Sequence, residues 1–371
     1  MKWIFWLSLG LIGYTYIGYP LVLYVRSRCR SRQVRRASIT PSISVIMAVH
    51  NEAAALPQKL HNLFALDYPA DRLEIIAVSD GSTDGTNQIL QDYTDQRLRA
   101  FILSPHHGKA VALNRGMQVA KGEITVFTDV RQLVECEALK CLVANFADLS
   151  VGCVSGELML EDPGGPQSGA GVGLYWRFEK MIRRWESESG SVVGATGALY
   201  AARTSLLAPL PEGTLLDDVY QPLQIARRGA RVVFESRARA WDRLAPAQQE
   251  FRRKVRTLTG NYQLLQLAPW LLTRRNPLRF EFVSHKLLRL LVPFALLGFL
   301  AASLSLSGPL YRVAACAQIL FYSLAALKLG KPRRSIVKRA SDAALAFILL
   351  NAAAAVALVY FLTGKRQVWV R

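Results

Sequence analysis

One uncharged stretch near the start limits what the whole chain can fold into. Residues 3–25 form a run of 23 residues without a charged side chain. A helix of about 20 apolar residues spans the hydrocarbon core of a bilayer. The run has neither the polar start nor the small-residue cleavage site of a signal peptide, so we expect it to be retained as a membrane helix.

Three segments near the other end of the sequence are also apolar. Residues 290–307 and 343–363 carry no charge, whereas residues 310–327 contain Arg312 near their start. This weaker segment is either a third span or an interfacial or buried helix. If all four segments cross the membrane, both ends of the chain lie outside the cytoplasm.

Basic residues are distributed unevenly around these segments. Six arginines follow residues 3–25, and six lysines and arginines lie between the segments at 310–327 and 343–363. The loop between the segments at 290–307 and 310–327 holds only Arg312. Positively charged loops stay in the cytoplasm, so residues 26–285 are expected there, at the inner or plasma membrane. The tail conflicts with four spans, because Lys365, Arg366 and Arg371 would then be outside. Either those charges are too few to matter or one segment does not cross.

The composition fits a water-soluble domain attached to membrane helices. Hydrophobic residues make up 51% and charged residues 20%, which excludes a disordered chain, collagen and a coiled coil. The net charge of +19 agrees with an anionic membrane face. Because topology explains much of that charge, no nucleic-acid partner is expected. The five cysteines form no CxxC pair, so they indicate neither a zinc site nor a disulfide framework.

Residues 38–260 alternate between short apolar strands and amphipathic helices. The pattern predicts strands at residues 43–49, 73–78, 100–103 and 124–128, with helices at residues 54–66, 86–93 and 110–120. Such alternation predicts an α/β domain with a mostly parallel sheet that is covered on both faces. Ligands of these sheets bind beyond the carboxyl ends of the strands, so the functional residues are expected at that edge.

Acidic residues follow three of the predicted strands. The first ends in His50-Asn51-Glu52, the second in Ser79-Asp80-Gly81-Ser82-Thr83-Asp84, and the fourth in Thr128-Asp129-Val130-Arg131. Carboxylates at this edge bind a base or ribose, or a hard cation that bridges phosphates. Capping of the next helix is the alternative for Ser82 and Asp84. The sequence has no P-loop, no dinucleotide-binding GxGxxG motif and no HExxH motif.

Several of these segments occur together in one known family. SVIMAVHNE, VSDGSTDGT, HGKAVALNRGMQVAKGEITVFTD and LLDDV are similar, in this order, to the motifs of family 2 inverting glycosyltransferases with a GT-A fold. The similarity covers most of residues 42–260. One leading membrane helix and several trailing ones resemble the membrane-embedded synthases related to cellulose, chitin, hyaluronan and poly-N-acetylglucosamine synthases. The resemblance implies a nucleotide-diphosphate sugar as the donor, usually UDP-linked.

The same resemblance implies roles for residues of the donor site. Glu52 and Asp80 would hold the uridine, and Lys109 and Asn114 would help to shape the nucleotide pocket. Asp129 would be the remaining first carboxylate of the DxD motif, which binds a divalent metal ion.

The resemblance assigns the general base to the LLDDV segment. Inverting transfer needs a base that takes the proton of the acceptor hydroxyl while the nucleoside diphosphate leaves. Asp218 matches that base, and the adjacent Asp217 helps, since two like charges raise at least one pKa of the pair. The alternative is that both acids cap a helix over residues 219–228.

The DxD segment departs from the family pattern. It ends in Arg131 instead of a second carboxylate, so Mg²⁺ or Mn²⁺ would have Asp129, the diphosphate and waters as ligands. Arg131 either supplies positive charge to the diphosphate directly or points away as a structural arginine.

The QxxRW motif of the processive enzymes is also incomplete. Residues 249–253 read QEFRR, so the tryptophan that would stack on the acceptor is absent. The helix is basic, with Arg252, Arg253 and Arg256. These arginines either clamp the diphosphate or face anionic lipid.

Two further segments are expected near the acceptor and the membrane. Residues 176–200 lie where the family places its acceptor, and Trp185 would stack on a sugar; a loop without contacts is the alternative. Residues 264–282 combine apolar and aromatic residues with arginines, which predicts an interfacial helix.

The sequence therefore predicts four regions. They are an N-terminal membrane helix with its basic flank (1–37), a cytoplasmic GT-A domain (38–260), an interfacial segment (261–285) and the C-terminal membrane helices (286–371). The expected function is sugar transfer from a nucleotide-diphosphate sugar to a glycan or lipid-linked acceptor at the bilayer. The alternative is a catalytically weak nucleotide-sugar-binding membrane protein that regulates a partner synthase.

Overall fold

The computed structural model describes residues 1–161, 170–243, 246–326 and 336–364. The basic residues at 328–334 and in the tail beyond residue 364 lie outside the described residues. One apolar helix leads into an α/β domain, and further helices follow it.

The α/β domain is built on one mixed sheet. Its eight described strands are β1 (Ile43–Val49), β2 (Leu73–Asp80), β3 (Leu98–Leu103), β4 (Ile124–Phe127), β5 (Leu133–Val134), β6 (Val151–Glu161), β7 (Tyr200–Arg203) and β8 (Arg231–Arg243). They are arranged in the order β3-β2-β1-β4-β7-β6-β8-β5. The first four predicted strands are parallel as expected. β7 runs antiparallel to both of its neighbours, and β5 runs antiparallel to β8. The sheet is therefore mixed: its described strands form four parallel pairings, including β6 with β8, and three antiparallel ones.

The helices cover the sheet and extend away from it. They are α1 (Lys2–Cys29), α2 (Leu56–Phe64), α3 (Thr86–Asp92), α4 (Lys109–Val119), α5 (Ala138–Val143), α6 (Ala170–Ser189), α7 (Asp217–Arg227), α8 (Ala247–Leu267), α9 (Arg279–Ser305), α10 (Pro309–Ala326) and α11 (Ile336–Leu362). The predicted GT-A boundary at residue 260 falls inside α8.

The centre of the domain is a buried core, because helices cover both faces of β1. All seven residues of β1 are buried. Met47 and Val49 pack against α2, while Ile46 packs against α4. A Cβ at Gly116 would lie 2.5 Å from a methyl carbon of Ile46, so the glycine lets α4 approach the strand closely. Burying each large aliphatic side chain stabilises the domain by about 1.5–3 kcal/mol.

Three helices of the described chain are long and apolar enough to cross a membrane. They are Lys2–Cys29, Arg279–Ser305 and Val337–Leu362. α10 has 18 residues but is less apolar than these three. The α1 and α9 helices pack side by side, and Phe5 of α1 lies 4.8 Å from Phe299 of α9, measured between ring centroids.

A buried ionic network joins α6 to α1 and α9. The two ring nitrogens of His285 each lie 2.7 Å from a carboxylate oxygen, one of Glu179 and one of Glu186. Arg289 donates to Glu179, and the Tyr19 hydroxyl donates to Glu186 at 2.6 Å. The network thus places the imidazole of His285 and the guanidinium of Arg289 against two buried carboxylates. His285 lies in a π-helical turn over Phe282–Leu287.

Candidate active site

The site is a cavity of about 250 Å³ at the carboxyl ends of the parallel strands, beside α7 and α8. Seven of the residues that the sequence predicts line this cavity. They are Lys109, Asp129, Arg131, Asp217, Asp218, Arg253 and Arg256. The four remaining predicted residues, Glu52, Asp80, Asn114 and Arg252, do not line it.

Lys109 connects two of the acidic residues in the cavity. Its Nζ lies 2.9 Å from Oδ1 of Asp129 and 3.3 Å from Oδ1 of Asp217. Gly108, with a φ of 100°, turns the chain so that Lys109 begins α4 at this point. Burial lowers the pKa of Lys109, but the two carboxylates outweigh burial and the net shift is upward. Burial raises the pKa of Asp129, but the charges of Lys109 and Arg256 outweigh it and the net shift is downward. Both groups are therefore charged at neutral pH.

Asp218 combines a backbone hydrogen bond with a raised pKa. Its Oδ2 accepts a hydrogen bond from the backbone N–H of Gly197 at 3.0 Å. A Cβ at residue 197 would lie 3.3 Å from that oxygen, so glycine allows the close approach. Burial and the negative charge of Asp217 raise the pKa of Asp218 to about 6. The capping alternative does not describe these acids, since Asp217 pairs with Lys109 and Asp218 bonds Gly197.

Asp80 lies beneath the site and is not exposed within it. Its two carboxylate oxygens accept hydrogen bonds from the backbone N–H groups of His107 and Gly108 at 2.8 and 2.7 Å. The side chain has no exposed surface. Through these hydrogen bonds Asp80 holds the turn that precedes Lys109.

Glu52 and Arg131 lie at the rim. Glu52 Oε1 is 4.0 Å from Nε of Arg131, and both side chains are partly exposed. Burial raises the pKa of Glu52, Arg131 opposes this shift, and Asp129 and Asp84 add to it. Asp84 accepts a hydrogen bond from the backbone N–H of Thr86, the first residue of α3. Asp84 lies one residue before the N-cap, Gly85, and also accepts from the backbone N–H of Ala53 at 3.0 Å, so it links the segment after β1 to the start of α3.

The arginines of α8 divide between two cavities. Arg253 lines the cavity that contains Asp218, which we call the catalytic cavity, and lies 3.9 Å from a carboxylate oxygen of Asp242. Arg252 instead lines an adjoining cavity of about 220 Å³, and Arg256 lines both. Nε of Arg256 is buried with no hydrogen-bond partner among the described residues.

Asn114 does not face the nucleotide pocket, which corrects the sequence prediction. Its side-chain amide donates to the carbonyl oxygen of Leu210 and accepts from the N–H of the same residue, both at 2.8 Å. The side-chain amide of Asn114 therefore pairs with the backbone of Leu210 as a neighbouring strand would, and it holds the segment that leads into α7. Through that segment, Asn114 helps to position Asp217 and Asp218 without lining the cavity.

The structure differs from the sequence predictions for Trp185 and for the continuity of the helix at residues 264–282. Trp185 lies in α6 and packs against Tyr24 of α1 at 5.4 Å between ring centroids, so it does not face a sugar. The tryptophan of α6 that does line the cavity is Trp176. Residues 264–282 do not form one helix. They comprise the end of α8, a 3₁₀ turn at Pro269–Leu272 and the start of α9.

Lys59 is a site residue that the sequence analysis missed. Its side chain is buried and donates to the Thr128 hydroxyl at 2.8 Å and to the carbonyl oxygen of Gln132. Burial lowers the pKa of Lys59 to about 7, against the opposing effect of Asp129. The available signal was a lysine on the apolar stripe of a helix, between Leu56 and Leu60. Lys59 fixes the segment that carries Asp129 and Arg131.

The acidic residues do not form a ready-made metal site. Among the described residues there is no group of three His, Cys, Asp or Glu side chains that could hold a metal ion. Oδ1 of Asp129 faces Lys109, and its Oδ2 lies 3.8 Å from a Cβ built at Gly197, on the cavity side. One carboxylate oxygen suits Mg²⁺ or Mn²⁺ only when substrate phosphates and waters complete the coordination.

Comparisons with known proteins agree with the motifs and the geometry. The model of the "Glycosyl transferase family 2" family matches residues 44–206. The chain is 26% identical over 261 residues to a probable glycosyltransferase, YdaM, of Bacillus subtilis (strain 168), covering 65% of this chain and 60% of that protein. It is 24% identical over 245 residues to a poly-beta-1,6-N-acetyl-D-glucosamine synthase of Staphylococcus aureus (strain COL), covering 64% and 59%. The chain spans about three fifths of the length of these curated relatives.

A solved structure has the same fold along nearly the whole chain. The mannosyltransferase PcManGT from Pyrobaculum calidifontis, in complex with GDP-Man and Mn²⁺, superimposes with a TM-score of 0.75. It is 24% identical, and the match covers 98% of this chain and 99% of that one. The predicted family resemblance and the GT-A fold are both confirmed.

Proposed function

Because the chain contains a family 2 glycosyltransferase domain with a GT-A fold, we propose that it transfers a sugar from a nucleotide-diphosphate sugar to a glycan or lipid-linked acceptor. The transfer inverts the anomeric configuration and serves polysaccharide or glycolipid synthesis at a membrane. One observation carries the proposal. A basic carboxylate, Asp218, and a charged pair, Lys109 and Asp129, share one cavity at the carboxyl ends of the strands.

The chemistry follows from the positions of these groups. The acceptor oxygen attacks the anomeric carbon, and its proton passes to Asp218. The bond between that carbon and the diphosphate breaks, and the nucleoside diphosphate leaves. Arg253, which lines the same cavity, stabilises the charge that develops on the diphosphate. Lys109 holds Asp217 and Asp129 in place and lowers the cost of two acids side by side.

The donor is tested by release of nucleoside diphosphate from purified protein. A panel of UDP- and GDP-linked sugars should yield at least one donor that the protein consumes, with radiolabelled sugar appearing in a glycan or lipid fraction. Absence of release with every donor, in protein that remains folded and in membranes, would contradict the proposed activity.

A divalent ion, when bound, would neutralise charge on the leaving diphosphate, and Asp129 would be its protein ligand. We expect excess EDTA to abolish activity and Mg²⁺ or Mn²⁺ to restore it. Arg131→Asp rebuilds the second carboxylate, so it should keep or strengthen metal dependence while lowering the rate. The measurement is turnover against free metal concentration. Full activity in EDTA that Arg131→Ala abolishes would show instead that the arginine serves in place of a metal ion.

A regulatory role without catalysis is not favoured. The relatives are a probable glycosyltransferase and a synthase. Asp129, Lys109, Asp217 and Asp218 are all present and converge in the cavity, whereas a protein that only binds a nucleotide sugar has no need for a basic carboxylate.

We also propose a membrane arrangement in which the catalytic domain is cytoplasmic and α11 does not cross. α9 runs away from the domain, because Arg26 at the end of α1 pairs with Glu281 at its start. α10 returns toward the domain: Tyr311, near its start, packs against Phe5, which lies near the start of α1. The 18 residues of α10 reach about 27 Å, close to the thickness of the hydrocarbon core.

The contacts of α11 place its start at the end of α10 and its other end against α8. Near its start, the Ser341 hydroxyl donates to the carbonyl oxygen of Leu324, at the end of α10. Near its other end, the carbonyl oxygen of Ala357 accepts from Thr259 of α8, and Phe361 stacks on Tyr262 of α8. A spanning helix of 27 residues would end about 40 Å away from its start, on the far side. This arrangement also removes the conflict with the basic tail.

Cysteine labelling in intact cells tests the arrangement. In a variant without native cysteines, Ser307→Cys, in the loop between α9 and α10, should react with a membrane-impermeant maleimide. Thr363→Cys, just after α11, should react only after the cells are permeabilised. Labelling of both positions in intact cells would contradict the proposal that α11 remains on the catalytic side.

A further inference from the structure

A second cavity adjoins the catalytic one between α8 and the end of α11. Its volume is about 220 Å³. The cavity shares the lining residues Leu215 and Arg256 with the catalytic cavity, so the two cavities adjoin along α8. Its other lining residues are Phe251, Arg252, Val255, Thr259, Val356 and Tyr360. We refer to it as the α8–α11 cavity.

The lining has the chemistry of an amphiphile site. Two guanidinium groups, of Arg252 and Arg256, face it, and none of its described lining residues is acidic. Nε of Arg256 is buried without a hydrogen-bond partner among the described residues. The opposite wall is apolar and belongs to α11, whose outer side chains such as Val359 are exposed, as expected for a helix in contact with lipid. An anion with an attached hydrocarbon chain fits these walls.

We propose that this cavity binds the phosphate of a lipid-linked acceptor, so that the acceptor is a sugar joined to a membrane lipid through a phosphate or diphosphate. The inference rests on the proposed function and specifies its acceptor. The phosphate binds between Arg252 and Arg256, and the lipid chain lies along Val356 and Tyr360. The sugar reaches past Leu215 into the catalytic cavity. One of its hydroxyl oxygens then bonds to the anomeric carbon of the donor, its proton passes to Asp218, and the nucleoside diphosphate leaves.

The position beside the catalytic cavity favours an acceptor over a structural lipid. A lipid that only holds α11 in place would not need to share Leu215 and Arg256 with the cavity that contains Asp218. The guanidinium pair also favours a phosphorylated acceptor over a neutral glycan, since hydrogen bonds from an arginine to a charged oxygen contribute about 1.5–3 kcal/mol. Such a contribution corresponds to at least about a tenfold difference in affinity.

Filling the cavity is the first test. Full-length protein in vesicles is given a nucleotide sugar that the wild type consumes and one of three acceptors: N-acetylglucosamine linked to a lipid by diphosphate, the same sugar linked to the lipid without phosphate, and a water-soluble N-acetylglucosamine oligomer. Val356→Trp should raise the KM for the diphosphate-linked acceptor at least about tenfold. Val359→Trp, on the exposed side of the same helix, is the matched control and should behave as wild type.

Removing the charge is the second test, and it decides the question if Val356→Trp does not fold. Arg252→Gln should abolish the preference for the diphosphate-linked acceptor over the phosphate-free one. Wild-type protein that prefers the soluble oligomer, or variants that use the diphosphate-linked acceptor as well as wild type, would overturn the inference. If the cavity held only a structural lipid, the variants would use the diphosphate-linked acceptor as well as the wild type does. If the wild type released no nucleoside diphosphate from any donor, that result would contradict the proposed function itself. The two failures are therefore distinguishable.

Discussion

Asp218→Asn should lower turnover by at least about two orders of magnitude, the scale of losing a general base. The amide keeps the shape of the carboxylate and can still meet the N–H of Gly197 through its oxygen, but it cannot accept the proton of the acceptor. Binding of the nucleotide should change little. Turnover under saturating donor and acceptor, together with nucleotide binding by calorimetry, measures both effects.

The pH profile provides a second readout of the same residue. Because burial and Asp217 raise the pKa of Asp218 to about 6, the base is ionised above that pH and protonated below it. Wild-type turnover should therefore fall as the pH decreases through about 6 and reach a plateau above it. Asp218→Asn should lack this acidic limb.

Asp217→Asn is the matched control for the adjacent position. It removes one partner of Lys109, while Asp129 remains 2.9 Å from the same nitrogen, so its effect should be the smaller of the two. A severe loss in Asp217→Asn with a mild effect in Asp218→Asn would show that the other member of the pair is the base.

His285→Ala should lower the free energy of unfolding by about 3–5 kcal/mol, the scale of leaving a buried charged group without its partner. The imidazole lies between Glu179 and Glu186 at 2.7 Å from each. Without it, both carboxylates lose a hydrogen bond in a site that water does not reach. Reversible unfolding in mixed micelles, followed by fluorescence, measures the change.

The control for this prediction is His61→Ala, since His61 is exposed on α2 and its loss should be nearly neutral. A second variant, Tyr19→Phe, removes only the hydroxyl that donates to Glu186 and should have an intermediate effect. If His285→Ala were as stable as His61→Ala, the network would not be what attaches α6 to the membrane helices.

Local patterns predicted the parallel half of the sheet and the order of the motifs. The run over β1 is apolar at nearly every position because helices cover both faces, and that pattern is visible without the fold. The mixed half was not predicted. β7 and β6 pair across a long intervening helix, and such pairing depends on contacts distant in sequence.

The sequence predicted which residue types form the site more accurately than it predicted what each residue contacts. Asp217 and Asp218 do converge with Asp129 and Lys109, because each follows or precedes an element at the same edge. Asp80 and Asn114 carry the expected residue types but bond backbone groups, and only the folded loops show where those groups lie. Lys59 was missed because a lysine in an apolar stripe looks like a surface residue until its buried partners are known.

The stereochemistry of the product tests the central claim most directly. With a donor that the protein consumes, NMR of the product gives the anomeric configuration of the newly attached sugar. A single displacement assisted by Asp218 predicts a configuration opposite to that of the donor, for example a β-linked product from an α-linked nucleotide sugar. A product with the configuration of the donor would contradict the assignment of Asp218 as the base of an inverting transfer.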